Sequence, residues 1–220
     1  MSLSDPKPTP DNPVSFGRKC SWLAVQCNNP LEIVKALQLI DIRESGWRSG
    51  VNASRASSQG HVFVSPPVKE WVLAIGDFPT TGDRHHLDLC TPLLLKLGQQ
   101  FSDVQFFGTH RVTSYCAWAR LVEGQIIRQY SWIDGASYWD VGVETPEEVS
   151  LGMHFEDSAN IDWPEDEAAA DELAETYPIP GESDVLNIAG AWSIDPTTLS
   201  QQDLPPSIGY LGRFPEQGLV

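Results

Sequence analysis

Two groups of side chains in this chain have the types and spacing to do chemistry. The first is Thr109-His110-Arg111, which lies between Phe107 and Val112 at the end of a strand-like run. A neighbouring histidine and arginine can grip an anion, the guanidinium through paired N–H donors and the imidazole through a charge that changes near neutral pH. Tyr115, Trp118 and Arg120 on the following run are expected to share that face. His110, Arg111, Tyr115, Trp118 and Arg120 therefore form a candidate pocket for a small-molecule or anionic ligand, or for an enzyme's substrate. The second group is the carboxylate-rich stretch from Glu156 to Glu175. Trp163 stands inside it and couples an apolar anchor to a negative field. Asp166, Glu167, Asp171 and Glu172 are its candidate partner contacts. Trp139 and Trp47, both in stretches that read as loops, are further candidate anchors. The plain alternatives are a satisfied histidine beside a surface arginine, and a solvated acidic flank.

Other chemistry finds little support. His85-His86 with Asp88 and Cys90 is the densest set of metal-ligand types. Adjacent histidines point about 100° apart on a helix, so only a loop would let both reach one ion. The four cysteines, Cys20, Cys27, Cys90 and Cys116, contain no C-x-x-C pair, so no zinc or redox centre is expected. The stretch around Asp157, Asn160, Asp162 and Glu165 has the composition of a calcium loop but neither the EF-hand spacing nor its central glycine. Asp140 and Glu144 are an acid–base pair of the kind any carboxylate-rich chain offers. The chain has no G-x-S-x-G, no zincin motif, no P-loop and no G-x-G-x-x-G. No catalytic residue, metal or cofactor is expected.

The elements that must position these groups belong to a chain of 220 residues, enough for one large domain that buries roughly 70% of its unfolded surface. With 41% hydrophobic and 20% charged residues, an intrinsically disordered chain is excluded. No apolar run reaches the roughly 18 residues of a membrane span. Fourteen basic side chains against 30 acidic ones give a net charge of −16, which argues against nucleic-acid binding by phosphate neutralisation. The charge is unevenly placed. Residues 1–140 carry 13 acidic and 13 basic side chains, whereas residues 141–220 carry 17 acidic ones and a single basic one, Arg213. The start has four prolines and no apolar signal region, and the chain reads as cytoplasmic and reduced.

Residues 1–17 are expected to be a disordered Pro-rich arm, residues 18–200 a single α+β domain, and residues 201–220 an extended tail. Within the domain the core spans 18–140 and an acidic helical extension spans 141–200. Cys20–Cys27 has strand composition. Asn29-Pro30-Leu31-Glu32 opens a helix whose apolar face is Ile33, Val34, Leu37 and Ile40. The Gly-, Ser- and Arg-rich residues 43–60 read as a mobile loop. Strands follow at 61–65 and 70–75, a helix capped by Thr91 carries Leu93, Leu94, Leu97 and Phe101, and strands follow at 104–112, 114–122 and 125–133 around a Glu123-Gly124 turn. Thr145-Pro146-Glu147-Glu148 is a capping box, Pro164 precedes an acidic helix, and Ser183 caps a helix bearing Val185, Ile188, Ala189 and Trp192. Phe63, Ser65, Val68 and Trp71 share their offsets with Phe107, Thr109, Val112 and Tyr115. These elements predict an antiparallel sheet with helices packed on one face, in a ferredoxin-like or duplicated β-α-β-β arrangement, plus the acidic helical C-terminal region.

The segments VFVSPPVKEWVLAIG, VQFFGTHRVTSYCAWAR and DVLNIAGAWSIDPTTL resemble stretches of an uncharacterised bacterial protein family. The resemblance covers roughly residues 20–200 and implies no catalytic residues. In general character the chain is similar to bacterial immunity proteins, which are small, acidic and cytosolic and neutralise toxins by binding them. The reading that follows is a non-enzymatic binding protein that meets a basic protein partner, such as a toxin, through an acidic surface. Its oligomeric state is left open.

Overall fold

The fold is known from a computed structural model that describes residues 8–56, 60–78, 88–133, 136–153, 155, 164, 166, 169 and 180–215. Among the described residues nine strands form one sheet, and every neighbouring pair is antiparallel. In chain order they are β1 (Ser21–Gln26), β2 (Ile40–Gly46), β3 (His61–Val64), β4 (Trp71–Gly76), β5 (Asp103–His110), β6 (Tyr115–Val122), β7 (Gln125–Ile133), β8 (Ala136–Gly142) and β9 (Ile208–Arg213). Their order in the sheet is β2-β9-β3-β4-β1-β5-β6-β7-β8. The helices given by the described residues are α1 (Pro30–Ala36), α2 (Trp47–Arg55), α3 (Cys90–Leu97), α4 (Pro146–Ser150) and α5 (Glu182–Trp192), with 3₁₀ turns at Arg111–Thr113 and Pro196–Gln201.

The central strands are buried on both faces, so their sequences read as continuous apolar runs rather than alternating ones. Alternate side chains enter two separate cores. Trp22, Phe63, Leu73, Phe107, Trp118 and Tyr130 face one core, which α2 and α5 cover with Trp47, Val51, Val185, Ile188 and Trp192. Leu23, Val25, Val62, Val72, Val104 and Phe106 face the other, covered by α1 and α3 with Ile33, Val34, Leu93, Leu94 and Leu97. Each large side chain so buried contributes about 1.5–3 kcal/mol. The α+β class stands, but α1 and α3 share one face while α2 and α5 take the other. The expected one-sided packing is therefore corrected to a covered sheet with two faces. Val68 and Val112, equivalent in the internal repeat, also part company: Val68 is buried and Val112 is 85% exposed.

Three segments differ from their sequence reading. The Pro-rich start packs on the fold from residue 8 onward, with Phe16 buried edge-on against Trp22 and Asp11 bridging to Ser207. It is not an unstructured arm over that length. Asp11 also caps α2, accepting hydrogen bonds from the backbone N–H of Trp47 (2.5 Å) and Arg48 (3.0 Å). Of the loop expected at 43–60, residues 43–55 are instead the end of β2 followed by α2. Gly50 lets α2 lie against β3, because a Cβ there would sit 2.1 Å from a ring carbon of Phe63. The expected tail supplies β9, which pairs with both β2 and β3 instead of running over the surface. Between β6 and β7 the turn is as expected. Glu123 (φ 50°) and Gly124 (φ 77°) both take positive φ, the signature of a type I′ hairpin turn. Among the described residues no helix is long and apolar enough to cross a membrane.

Candidate functional site

The end of β5 turns through Arg111–Thr113 into β6 and delivers His110, Arg111 and Tyr115 to one cleft of about 290 Å³. Trp132 of β7 and the residues leading into α5, Pro180 to Glu182, line the rest. Ser114 in the turn holds φ 46°, a left-handed conformation unusual for a residue with a side chain. The imidazole Nδ1 of His110 lies 3.2 Å from the hydroxyl of Thr113. Arg111 sends its Nε (2.9 Å) and Nη2 (2.5 Å) to one oxygen of Glu182. Arg18 Nη1 reaches the same oxygen at 3.2 Å, and the backbone N–H of Lys19 donates to the other at 3.1 Å. Burial alone would raise the Glu182 pKa. The bonds from Arg111 and Lys19 and the charges of Arg111 and Arg18 outweigh it and hold the carboxyl below its ordinary value. The anion gripped by this cationic cleft is thus a side chain of the protein itself.

Trp118 and Arg120 do not join the cleft. Tyr115 and Trp118 are an odd number of residues apart on β6 and so point to opposite faces. Trp118 is fully buried in the α5-side core, and Arg120 pairs with the mostly buried Asp103 at 2.6 Å. The five-residue set expected from sequence is corrected to three, and Glu182 is the member that sequence reasoning missed.

Trp118 belongs instead to a buried charge cluster. Glu148 of α4 is fully buried and accepts from the Trp118 indole Nε1 (2.7 Å), from Arg128 Nε (2.8 Å) and from the Thr145 backbone N–H (2.6 Å). The Thr145 hydroxyl in turn accepts from the Glu148 N–H, which completes the capping box expected at this site. Arg128 is also fully buried and pairs with Asp140 of β8. Desolvation would lower its pKa, but the bonds to Asp140 and Glu148 raise it above the ordinary value. Its guanidinium lies 4.7 Å from the ring centre of Phe155, and that ring meets Tyr130 at 4.7 Å and Trp118 at 5.9 Å. This makes Asp140 a partner of Arg128 and not a free acid for Glu144.

Phe155 and Pro180 bracket the acidic tract. Phe155 packs on Trp118, and the carbonyl of Pro180 accepts from the thiol of Cys116 at 3.2 Å. Cys116 and Trp118 are two residues apart on β6, about 7 Å along the strand. Phe155 and Pro180, the described residues on either side of the tract, therefore contact neighbouring points on β6. Asp166 is exposed and accepts from the N–H of Ala169 at 3.0 Å. Trp163, Glu167, Asp171 and Glu172 lie outside the described residues, as do His85, His86, Asp157, Asn160, Asp162 and Glu165.

The two loop tryptophans are placed differently from their sequence reading. Trp47 is only 1% exposed and donates its Nε1–H to the Ser207 hydroxyl at 3.1 Å, so it is a core residue and no anchor for a partner. Trp139 sits on β8, half-buried against the α1/α3-side core.

Nucleophiles and metal ligands are poorly served. Burial pushes the thiol of Cys116 up to about 12 and that of Cys20 up to about 11; it also raises Cys27 and lifts Cys90 well above the ordinary value. Thr109 bonds to Cys20 and is paired with Cys116, which puts the two cysteines two strands apart, about 10 Å. That is too far for a disulfide. Asp88 spends its carboxylate on the N–H groups of Cys90 and Thr91 and so caps α3 in place of Thr91. Among the described residues no three His, Cys, Asp or Glu side chains are grouped to hold a metal ion.

A larger open groove of about 660 Å³ runs past Pro10, Asp11, Arg48 and Ser200. Its carboxylate, Asp11, is already committed to capping α2. Comparison with protein-family models, curated proteins and solved structures finds no match.

Proposed function

We propose that this chain is a non-enzymatic cytoplasmic binding protein that meets a basic protein partner through its acidic tract. A toxin neutralised by the contact is the partner class that suits its immunity-like character. One observation carries the reading: the chain's whole excess of 16 carboxylates falls after residue 140, and the densest part of it is bracketed by two neighbouring attachments to the sheet, at Phe155 and Pro180. The 14 basic side chains of the chain cannot balance its 30 carboxylates, which leaves a net charge of −16. Several of those cations, Arg18, Arg111, Arg120, Arg128 and Arg213, are already engaged with Glu182, Asp103, Asp140, Glu148 and Asp41. A tract of one charge sign speeds encounter and orients a basic partner more than it adds affinity.

The test compares proteins captured from the host by the full chain with those captured by the Asp166→Asn, Glu167→Gln, Asp171→Asn, Glu172→Gln variant. Capture is measured at about 50 mM and about 500 mM salt, where the screening length changes several-fold. The expected result is a basic protein lost from the variant and lost at high salt. Recovery of the same proteins by both chains at both salt levels overturns the reading.

A second reading, a site for a small molecule or an anion or an enzyme's pocket, is favoured by the cleft that brings His110, Arg111 and Tyr115 together. It requires the ligand to displace Glu182 from Arg111. Titration with inorganic phosphate followed by calorimetry tests it, with tighter binding expected for Glu182→Gln and no heat from either protein counting against it.

A further inference from the structure

The two edges of the sheet are unequal. β2 is blunted: its pairing with β9 shifts register between Ile40 and Arg43, Asp41 takes φ 53°, and the exposed run mixes both charge signs in Asp41, Arg43 and Glu44. Irregularity and charge of this kind are how proteins close an edge to strand addition. β8 at the other end has a register shift between the Ser131–Trp139 and Trp132–Ser137 pairs and a positive φ of 87° at its last residue, Gly142. Beyond the shift Trp139, Asp140, Val141 and Gly142 pair regularly with Ser131, Tyr130, Gln129 and Arg128. Among the described residues β8 has one neighbouring strand, which leaves its outer backbone N–H and C=O groups without a ladder.

The side chains at this edge are of two kinds. Val141 is 46% exposed and Val143 85%, and Ile127 on β7 and Val149 on α4 are exposed as well. Asp140 and Glu144 are exposed beside them, and Glu147 is half-buried. No lysine or arginine occurs between Arg128 and Arg213, and Arg128 itself is fully buried. An apolar strand edge flanked by carboxylates, in a stretch of sequence with no exposed basic residue, complements a strand that alternates apolar and basic residues.

Resting on the reading of a basic partner, the geometry points to β8 as the place where that partner docks, by adding an extended lysine- or arginine-bearing segment to the sheet edge. Main-chain hydrogen bonds would supply affinity. Val141 and Val143 would meet the apolar side chains, and Glu144 the basic ones, while Asp140 stays with Arg128. A second copy of this chain fits less well, because it would set carboxylates against carboxylates.

The test uses two capped synthetic peptides of equal charge and about eight residues, longer than a typical strand. One alternates lysine with valine and the other lysine with glycine. Affinity for the full chain is measured by fluorescence anisotropy, and amide exchange is read over residues 136–143. The expected result is binding of the lysine–valine peptide about tenfold tighter than the lysine–glycine peptide, with slowed exchange in β8. Val143→Lys is expected to remove that difference, and Ile42→Lys on the opposite edge to leave it intact. If both peptides bind equally, lose affinity together in the variant neutralised at Asp166, Glu167, Asp171 and Glu172, and leave β8 exchange unchanged, the edge proposal fails while the acidic-surface reading stands. Failure of both peptides to bind at low salt would overturn both. A concentration-dependent dimer in sedimentation that Val143→Lys abolishes would overturn the choice of partner in favour of self-pairing.

Discussion

Removing the carboxylate of Glu148 is the sharpest perturbation of the face that carries the acidic tract. In Glu148→Ala the fully buried Arg128 loses its fully buried partner and keeps Asp140, whose side chain is 47% exposed, and the carbonyls of Gln129 and Val141. The indole N–H of Trp118 and the backbone N–H of Thr145 lose their acceptor at the same time. Breaking a buried ion pair from one side costs about 3–5 kcal/mol. The lost capping interaction, typically about 1 kcal/mol, places the total near the top of that range. For a chain of this size that is a fall in Tm of about 10 °C. With a urea m-value of about 2–3 kcal/mol/M, the midpoint should move down by about 2 M. The double variant Arg128→Met, Glu148→Gln removes both charges and keeps an acceptor for Trp118 and Thr145. It should recover most of the loss, since a buried pair is worth little net against an apolar replacement. Urea unfolding followed by tryptophan fluorescence measures all three proteins. A loss below about 1 kcal/mol in the single variant, or a double variant as unstable as the single one, would refute the assignment of the cluster as a coupled unit.

Three further outcomes follow from the contacts described. Asp11→Ala should destabilise the fold by about 1–2 kcal/mol by removing the cap of α2, and should speed amide exchange in α2 and residues 8–16 together. Glu182 has a folded pKa below its ordinary value of 4.5, so the unfolded chain takes up that proton first as pH falls. Its stabilisation is therefore full above the ordinary value and is lost as pH drops through the folded one, and the stability gap between the wild type and Glu182→Gln should close over that acidic window in pH-dependent urea melts. Cys90 and Cys116, buried and with raised pKa values, should resist iodoacetamide at neutral pH in the native protein, whereas all four free cysteines should react once it is unfolded. Rapid native labelling of Cys116, read by peptide mass, would contradict its packing.

Where local signals decided the structure, the sequence was a sufficient guide. Asn29 caps α1 through its side chain as its Asn-Pro-Leu-Glu context implies, and the Thr145 capping box forms with the expected reciprocal bonds. The Glu-Gly hairpin between β6 and β7 falls where positive φ is cheapest. These features depend on residues within a few positions of one another, so their energies are written locally. The charge imbalance is likewise a property of composition, and no folding can change it.

Other features depend on residues far apart in the chain. The helix α2 was hidden in Gly- and Ser-rich residues because its cap is Asp11, 36 positions upstream, and its fit needs Gly50 against Phe63. No local window contains those partners. The strand β9 acquires its role only when β2 and β3 part to receive it, and the side of the sheet on which each helix lies depends on which strand face it meets. Reading Tyr115, Trp118 and Arg120 as one surface failed on strand parity, a rule that was available, whereas the pairing of Arg111 with Glu182 across 71 positions had no sequence signal. Composition and short-range bonding determined many of the elements, the acidity and the anion-gripping residue types, but not α2 or β9. Tertiary packing alone decided that Glu182 fills that grip, that Glu148 neutralises Arg128 in the core, and that Phe155 and Pro180, on either side of the acidic tract, contact neighbouring points on the sheet, because each is a bond between groups that only the folded chain brings within reach.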